Sequence, residues 1–104
     1  MNDGLPLDLK KDELGKVQQI LKHYIPDTEV RAFGSRVNGT AKKYSDLDLI
    51  VMSKIPLTLQ QNALLTEAFE ESDLPFKVDV LDWSVASDRF RKILNDKGLS
   101  QLIN

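Results

Sequence analysis

The sequence contains no cysteine, and neither sign of charge dominates it. The absence of cysteine excludes a disulfide framework and thiolate metal sites. The 14 lysines and arginines nearly balance the 16 acidic residues, which leaves a net charge of −2. Composition therefore offers no electrostatic basis for a protein that coats nucleic acid, and we expect no direct nucleic-acid binding.

Long apolar runs are also missing, since no stretch approaches the roughly 20 residues that a membrane-spanning helix needs. We expect a soluble, cytoplasmic protein without membrane contact. A chain of 104 residues has room for one core, because domains mostly hold about 100–150 residues. The prediction is one domain over residues 1–104, in which residues 1–9 form an irregular arm.

The apolar pattern predicts three strands and three long helices. The strands are expected at residues 29–33, 46–53 and 76–81, and the helices at residues 12–25, 58–72 and 87–96, the last one ended by Gly98. A helical crossover makes the second and third strands parallel neighbours. The first two strands should run antiparallel, so that Gly34 at the end of the first can reach Asp46 at the start of the second. We therefore predict an α/β (α+β) fold with a small mixed sheet of three strands in the order 1-2-3, with helices packed on it.

One stretch of this pattern carries chemistry. The first strand ends at Gly34-Ser35, where a glycine lets the backbone turn so that an amide and a hydroxyl can face an anion. Asp46 and Asp48 follow at the start of the second strand, and residues two apart on a strand share a face. Two carboxylates held so close repel unless a cation lies between them, and hard oxygen ligands suit Mg²⁺. The stretch predicts a site for a metal-bound nucleoside triphosphate.

Simpler explanations exist for each fragment. A Gly-Ser pair after a strand is usually only a turn, and an Asp-x-Asp pair is common on solvated strand edges. The two together in one compact unit are much more specific. A third carboxylate is expected from Asp79 on the third strand, with Asp82 as the competitor. Asp82 lies an odd number of residues from Asp79, so it faces the other way and is better explained as a cap.

With this spacing, Gly34, Ser35, Asp46 and Asp48 make the chain resemble the nucleotidyltransferase superfamily that includes DNA polymerase beta. More closely, it resembles the minimal nucleotidyltransferases, which are encoded beside a helical HEPN protein. The resemblance implies ATP or another nucleoside triphosphate as substrate, bound through Gly34 and Ser35. It also implies that Asp46, Asp48 and Asp79 hold two Mg²⁺ ions, with Asp79 taking the acceptor's proton. Arg36 is expected either to contact phosphate or to be a solvated charge on an exposed loop.

The resemblance further implies transfer of AMP to a hydroxyl of the HEPN partner, which the chain would silence as an antitoxin. A homo- or hetero-oligomer is therefore expected, with Trp83 or Phe90 as a candidate anchor. Two alternatives stay open. The chain could neutralise its partner by binding alone, or it could transfer a nucleotide to a small molecule such as an aminoglycoside.

Overall fold

The computed structural model describes residues 7–97 and 100–104. Most of the predicted N-terminal arm and the predicted helix stop at Gly98 lie outside these residues. Residues 7–10 have no helix or strand, as expected for the end of an irregular arm. Across the described ranges, no helix combines the length and the apolar character needed to span a membrane.

The helices and strands follow one another in nearly the predicted order. The helices are α1 (Lys11–Tyr24), α2 (Ser35–Asn38), α3 (Leu59–Glu71) and α4 (Asp88–Lys97), and a 3₁₀ helix spans Trp83–Val85. The strands are β1 (Val30–Phe33), β2 (Leu47–Val51), β3 (Val78–Asp82) and β4 (Ser100–Leu102). Hydroxyl side chains cap two of the long helices, with the Ser87 hydroxyl accepting from the Phe90 amide at the start of α4. In α3, the Thr58 hydroxyl accepts a hydrogen bond from the Gln61 amide, and the Gln61 side chain accepts one from the Thr58 amide.

The sheet has the order β3-β2-β1-β4. β1 pairs with β2 antiparallel and β2 pairs with β3 parallel, so the predicted 1-2-3 arrangement is confirmed. The predicted count of three strands is wrong, because β4 adds a fourth, antiparallel to β1. β4 holds only three residues, Ser-Gln-Leu, which is too short for a strand period to be read from the sequence.

The two faces of the sheet have different roles. Leu47, Leu49 and Val51 of β2 are fully buried on one face, in a core shared with α1 and α3. Asp48 and Ile50 alternate with them and point to the other face. α4 lies on that second face, where Phe90 packs edge-on against Phe33 at 5.5 Å between ring centroids. The fold therefore presents Asp48, the acidic residue of β2, on the face that α4 partly covers.

Candidate functional site

The predicted phosphate turn forms directly after β1. Gly34 has φ +80° and ψ −154°, a combination that L-amino acids with side chains rarely adopt. The turn leads into the four residues of α2, and Gly39 ends that helix in the left-handed conformation. Among the described residues, none hydrogen bonds to the Ser35 hydroxyl. Ser35 is half-buried at the start of the helix.

Register places the aspartates around this turn. Asp48 is paired with Phe33, the last residue of β1, so its carboxylate lies against the side of Gly34 where a side chain would be. On the other side of β2, Asp79 is the register partner of Asp48. Asp46 precedes the first residue of β2, rather than starting the strand as predicted, and it is exposed. The turn and the three predicted carboxylates therefore lie at the same end of the sheet, where β1 ends and where β2 and β3 begin.

The carboxylates of this site act on one another electrostatically. The pKa of Asp48 is raised above its ordinary value, first by burial of the carboxyl and then by the negative charges of Asp79 and Asp46. Within residues 7–97 and 100–104, however, no three acidic, histidine or cysteine side chains lie close enough together to hold a metal ion. The charges of Asp79 and Asp46 act on Asp48 because electrostatic interactions reach farther than the bonds between a metal ion and its ligands. The three carboxylates are neighbours that are not gathered into a metal cage.

Asp79 already has a cation beside it. Its Oδ1 lies 3.4 Å from Nζ of Lys77, in a pair whose two side chains are 41% and 71% exposed. Sequence reasoning did not name Lys77, although its spacing of two residues from Asp79 on an extended segment is a usable signal. Exposed pairs of this type are weak, so the Asp79 carboxylate can turn towards a stronger cation at little cost.

Asp82, the competitor for the third acidic position, is fully engaged elsewhere. Its carboxylate accepts hydrogen bonds from the Ser53 hydroxyl at 2.6 Å, the Leu57 amide at 2.7 Å and the Ser84 amide and hydroxyl at 2.9 and 2.7 Å. It caps the 3₁₀ helix, which confirms the prediction of a cap. Burial alone would raise its pKa, but these hydrogen bonds lower the pKa below its ordinary value.

Arg36 does not lie where the sequence predicted. It is only 4% exposed, so the expectation of an exposed loop residue is wrong. Its guanidinium donates to main-chain carbonyls: Nε and Nη2 to Ser45 at 3.0 and 2.8 Å, Nη2 to Lys43 at 3.1 Å and Nη1 to Asp8 at 2.8 Å. No pattern in the sequence indicates this burial, because the partners are backbone atoms. The phosphate contact predicted for Arg36 has no support in this placement.

The predicted anchors, Trp83 and Phe90, are both partly covered within the chain. Phe90 packs on Phe33, and the Arg91 guanidinium lies 5.4 Å from the Trp83 ring centroid. Trp83 also borders a cavity of about 300 Å³ on the α4 face, beside Arg31 and Met52. Neither ring is a free, fully exposed anchor.

Comparison with known proteins identifies the family of the chain. The family model described as "Nucleotidyltransferase domain" matches residues 14–102. The chain is 54% identical over 94 residues to "Probable protein adenylyltransferase MntA" of Haemophilus influenzae. That match covers 90% of this chain and 82% of the relative.

Solved structures with the same fold include complexes. A toxin–antitoxin crystal structure with AMP-PNP superposes with a TM-score of 0.70 at 24% identity, covering 88% of this chain and 72% of that one. A mutant MntA-HpeT toxin–antitoxin complex gives a TM-score of 0.69 at 22% identity, with the same coverage. Spectinomycin adenyltransferase AAD(9) from Enterococcus faecialis, solved with ATP and spectinomycin, gives 0.56 at 20% identity, over 90% of this chain and 48% of that one. At these identities the likeness concerns the fold.

Proposed function

The chain belongs to the nucleotidyltransferase domain family, and from this premise we propose that it transfers AMP from ATP to a hydroxyl group of a partner protein. The partner in this proposal is a helical HEPN-type protein, which the modification silences, so the chain acts as an antitoxin. The relative that is 54% identical bears the name of a probable protein adenylyltransferase, which supports transfer to a protein.

One observation carries the proposal. The Asp48 carboxylate packs against Gly34, and Asp79 is its register partner on the neighbouring strand. A triphosphate bound at the glycine turn would therefore lie beside carboxylates that need a counter-charge, as the raised pKa of Asp48 indicates. A turn or a solvated strand edge with no function has no reason to combine these features.

Each group of the turn has a role in this proposal. Gly34, which lacks a side chain, lets phosphate oxygens approach the backbone, and the Ser35 amide and hydroxyl donate to them. Asp46, Asp48 and Asp79 would hold two Mg²⁺ ions, because carboxylate oxygens are the ligands this hard cation prefers. When bound, Mg²⁺ would neutralise the triphosphate charge and the charge that develops on pyrophosphate.

Transfer of AMP requires no nucleophile on this chain. The acceptor hydroxyl oxygen forms a bond to the α-phosphorus of ATP, the bond from that phosphorus to the bridging oxygen breaks, and pyrophosphate leaves. The hydroxyl proton passes to the Asp79 carboxylate. Asp79 suits this role because its side chain is 41% exposed on an outer strand, where an acceptor can reach it.

The same openness supports a protein acceptor. A site at the edge of a small sheet does not exclude water or orient an acceptor by itself, so a second polypeptide would complete it. Two structures with this fold are toxin–antitoxin complexes. An interface of the usual size would bury about 1,200–2,000 Å² in total.

The test is incubation of the chain with labelled ATP, Mg²⁺ and the purified product of the adjacent gene, followed by intact-mass spectrometry of both proteins. The proposal expects one or more AMP additions on the partner and none in EDTA. A stable complex without any mass change would establish neutralisation by binding alone. Rapid transfer to an aminoglycoside, with no modified protein, would assign the chain to small-molecule modification instead.

A further inference from the structure

Arg36 is a buried cation without an acidic partner. In the described part of the chain, no carboxylate forms an ion pair with it. Burying an unpaired charge is costly unless hydrogen bonds replace water. Here the carbonyls of Asp8, Lys43 and Ser45 do so, and the Phe76 ring packs 4.2 Å from the guanidinium carbon. An arrangement with this many partners indicates a specific role for the guanidinium group.

The positions of those partners in the sequence show what the side chain joins. Arg36 directly follows Ser35 of the phosphate turn. Ser45, whose carbonyl accepts two of its hydrogen bonds, directly precedes Asp46. One side chain therefore connects the phosphate turn to the loop that carries the first carboxylate, which we define as the carboxylate loop, residues 41–46.

The carboxylate loop has few other attachments. Lys42 and Ser45 hydrogen bond to each other, through the Lys42 amide and Ser45 hydroxyl at 2.8 Å and the Ser45 amide and Lys42 carbonyl at 3.1 Å. Those bonds stay within the loop. Its large apolar side chain, Tyr44, is 66% exposed and does not anchor it. Among the described contacts, the guanidinium of Arg36 is the main link between this loop and the body of the domain.

We propose that Arg36 is a positioning residue, which fixes Asp46 relative to the phosphate turn through the carbonyls of Lys43 and Ser45. The positioning role rests on the nucleotidyl transfer proposed above, but the restraint that Arg36 places on the loop does not depend on it. Arginine is required because its planar fork reaches several acceptors at once. A lysine ammonium is a point charge that cannot span the same carbonyls.

The first experiment measures the loop itself. Trypsin cleaves after lysine and arginine alike, so Arg36→Lys keeps the number of cleavage sites while removing the fork. Well below the melting temperature, cleavage after Lys42 and Lys43 should accelerate about tenfold or more in Arg36→Lys. Arg91→Lys is the matched control, because Arg91 also donates to carbonyls, those of Trp83 and Ser84, far from this loop in the sequence. Arg91→Lys should leave cleavage at Lys42 and Lys43 unchanged.

The second experiment measures the site. Calorimetric titration of ATP at increasing Mg²⁺ should give a half-saturating Mg²⁺ concentration about tenfold higher in Arg36→Lys than in the unmodified chain. ATP binding in EDTA should stay the same, since Ser35 is untouched. Arg91→Lys should match the unmodified chain in both titrations. A role limited to stability would lower the melting temperature without changing the Mg²⁺ dependence measured on folded protein.

Each outcome decides the question. Unchanged cleavage in folded Arg36→Lys overturns the restraint, and faster cleavage with unchanged Mg²⁺ dependence overturns the positioning role. If Arg36→Lys does not fold, Phe76→Leu removes the ring beneath the guanidinium and must shift cleavage and Mg²⁺ dependence in the same directions, or the proposal fails. If the unmodified chain binds no ATP, the proposed function fails, while the cleavage comparison still decides whether Arg36 holds the loop.

Discussion

A β-carbon added to Gly34 would lie 2.5 Å from Oδ2 of Asp48, closer than side chains approach in real structures. The glycine is therefore required by its neighbour on β2 as well as by its own backbone, which has a φ of +80°. The missing side chain at Gly34 and the carboxylate at Asp48 thus depend on each other. The phosphate turn and the acidic strand form one packed unit.

Gly34→Ala should lower the free energy of unfolding by about 1–3 kcal/mol, because alanine is strained at this φ. It should also displace the Asp48 carboxylate and abolish Mg²⁺-dependent ATP binding. Gly15→Ala is the control, since no atom lies within 4 Å of its added β-carbon and alanine inside a helix stabilises by about 0.5–1 kcal/mol. Denaturant unfolding of both variants gives the comparison, and equal stabilities would contradict the assignment of strain to Gly34.

Asp48→Asn should raise the melting temperature in EDTA near neutral pH while abolishing AMP transfer. Burial and the charges of Asp79 and Asp46 raise the pKa of Asp48. An acid with a raised folded pKa loses stability as pH rises from its unfolded pKa through its folded one, and the amide removes that loss. Mg²⁺ should raise the melting temperature of the unmodified chain only. Asp27→Asn, on an exposed turn, serves as control and should change neither property.

Asp79→Asn should reduce the rate of AMP transfer by about 10²–10⁴-fold, the range expected for loss of a general base. Its stability should change little, because the ion pair with Lys77 is exposed and contributes about 0–1 kcal/mol. Single-turnover kinetics with labelled ATP would measure the rate. A variant that keeps more than half of the original rate would remove Asp79 from the chemistry.

Asp82→Asn should affect stability rather than activity, in contrast to Asp79→Asn. It should destabilise the fold by about 1–2 kcal/mol through loss of charged hydrogen bonds, and it should keep transfer activity at low temperature. Those hydrogen bonds lower the pKa of Asp82. An acid with a lowered folded pKa contributes stability above its unfolded pKa, and loses it as pH falls through the folded value. The difference in unfolding free energy between the unmodified chain and Asp82→Asn, measured in urea, should therefore narrow as pH falls below the ordinary pKa of an aspartate, 3.8. An inactive but stable Asp82→Asn would reverse the roles of Asp82 and Asp79.

The sequence predicted the parts of the fold that rest on local periodicity. β1, β2 and β3 have apolar patterns and breakers at their ends, and the connection through α3 fixed the parallel pairing of β2 and β3. β4 escaped prediction because three residues carry no period and its existence depends on pairing with β1. Its formation is decided by tertiary contact rather than by local preference.

The site divides in the same way. Gly34, Asp48 and Asp79 came from spacing along strands, and register brought them to one edge of the sheet as predicted. Their assignment to phosphate and Mg²⁺ remains a prediction. The prediction misplaced Arg36 because its hydrogen-bond acceptors are backbone carbonyls. Every residue has such a carbonyl, so no residue type marks these acceptors.

The position of β4 also governs how the protein can be handled. β4 occupies one side of β1, and the segment beyond it continues the pairing, with the Val30 amide donating to the Asn104 carbonyl and the Ile103 amide to Val30, both at 2.9 Å. Removing residues 100–104 would leave β1 as a sheet edge with unpaired amides and carbonyls, a template for aggregation. A truncation that removes residues 100–104 would therefore expose the hydrogen-bonding edge of the strand that leads to Gly34.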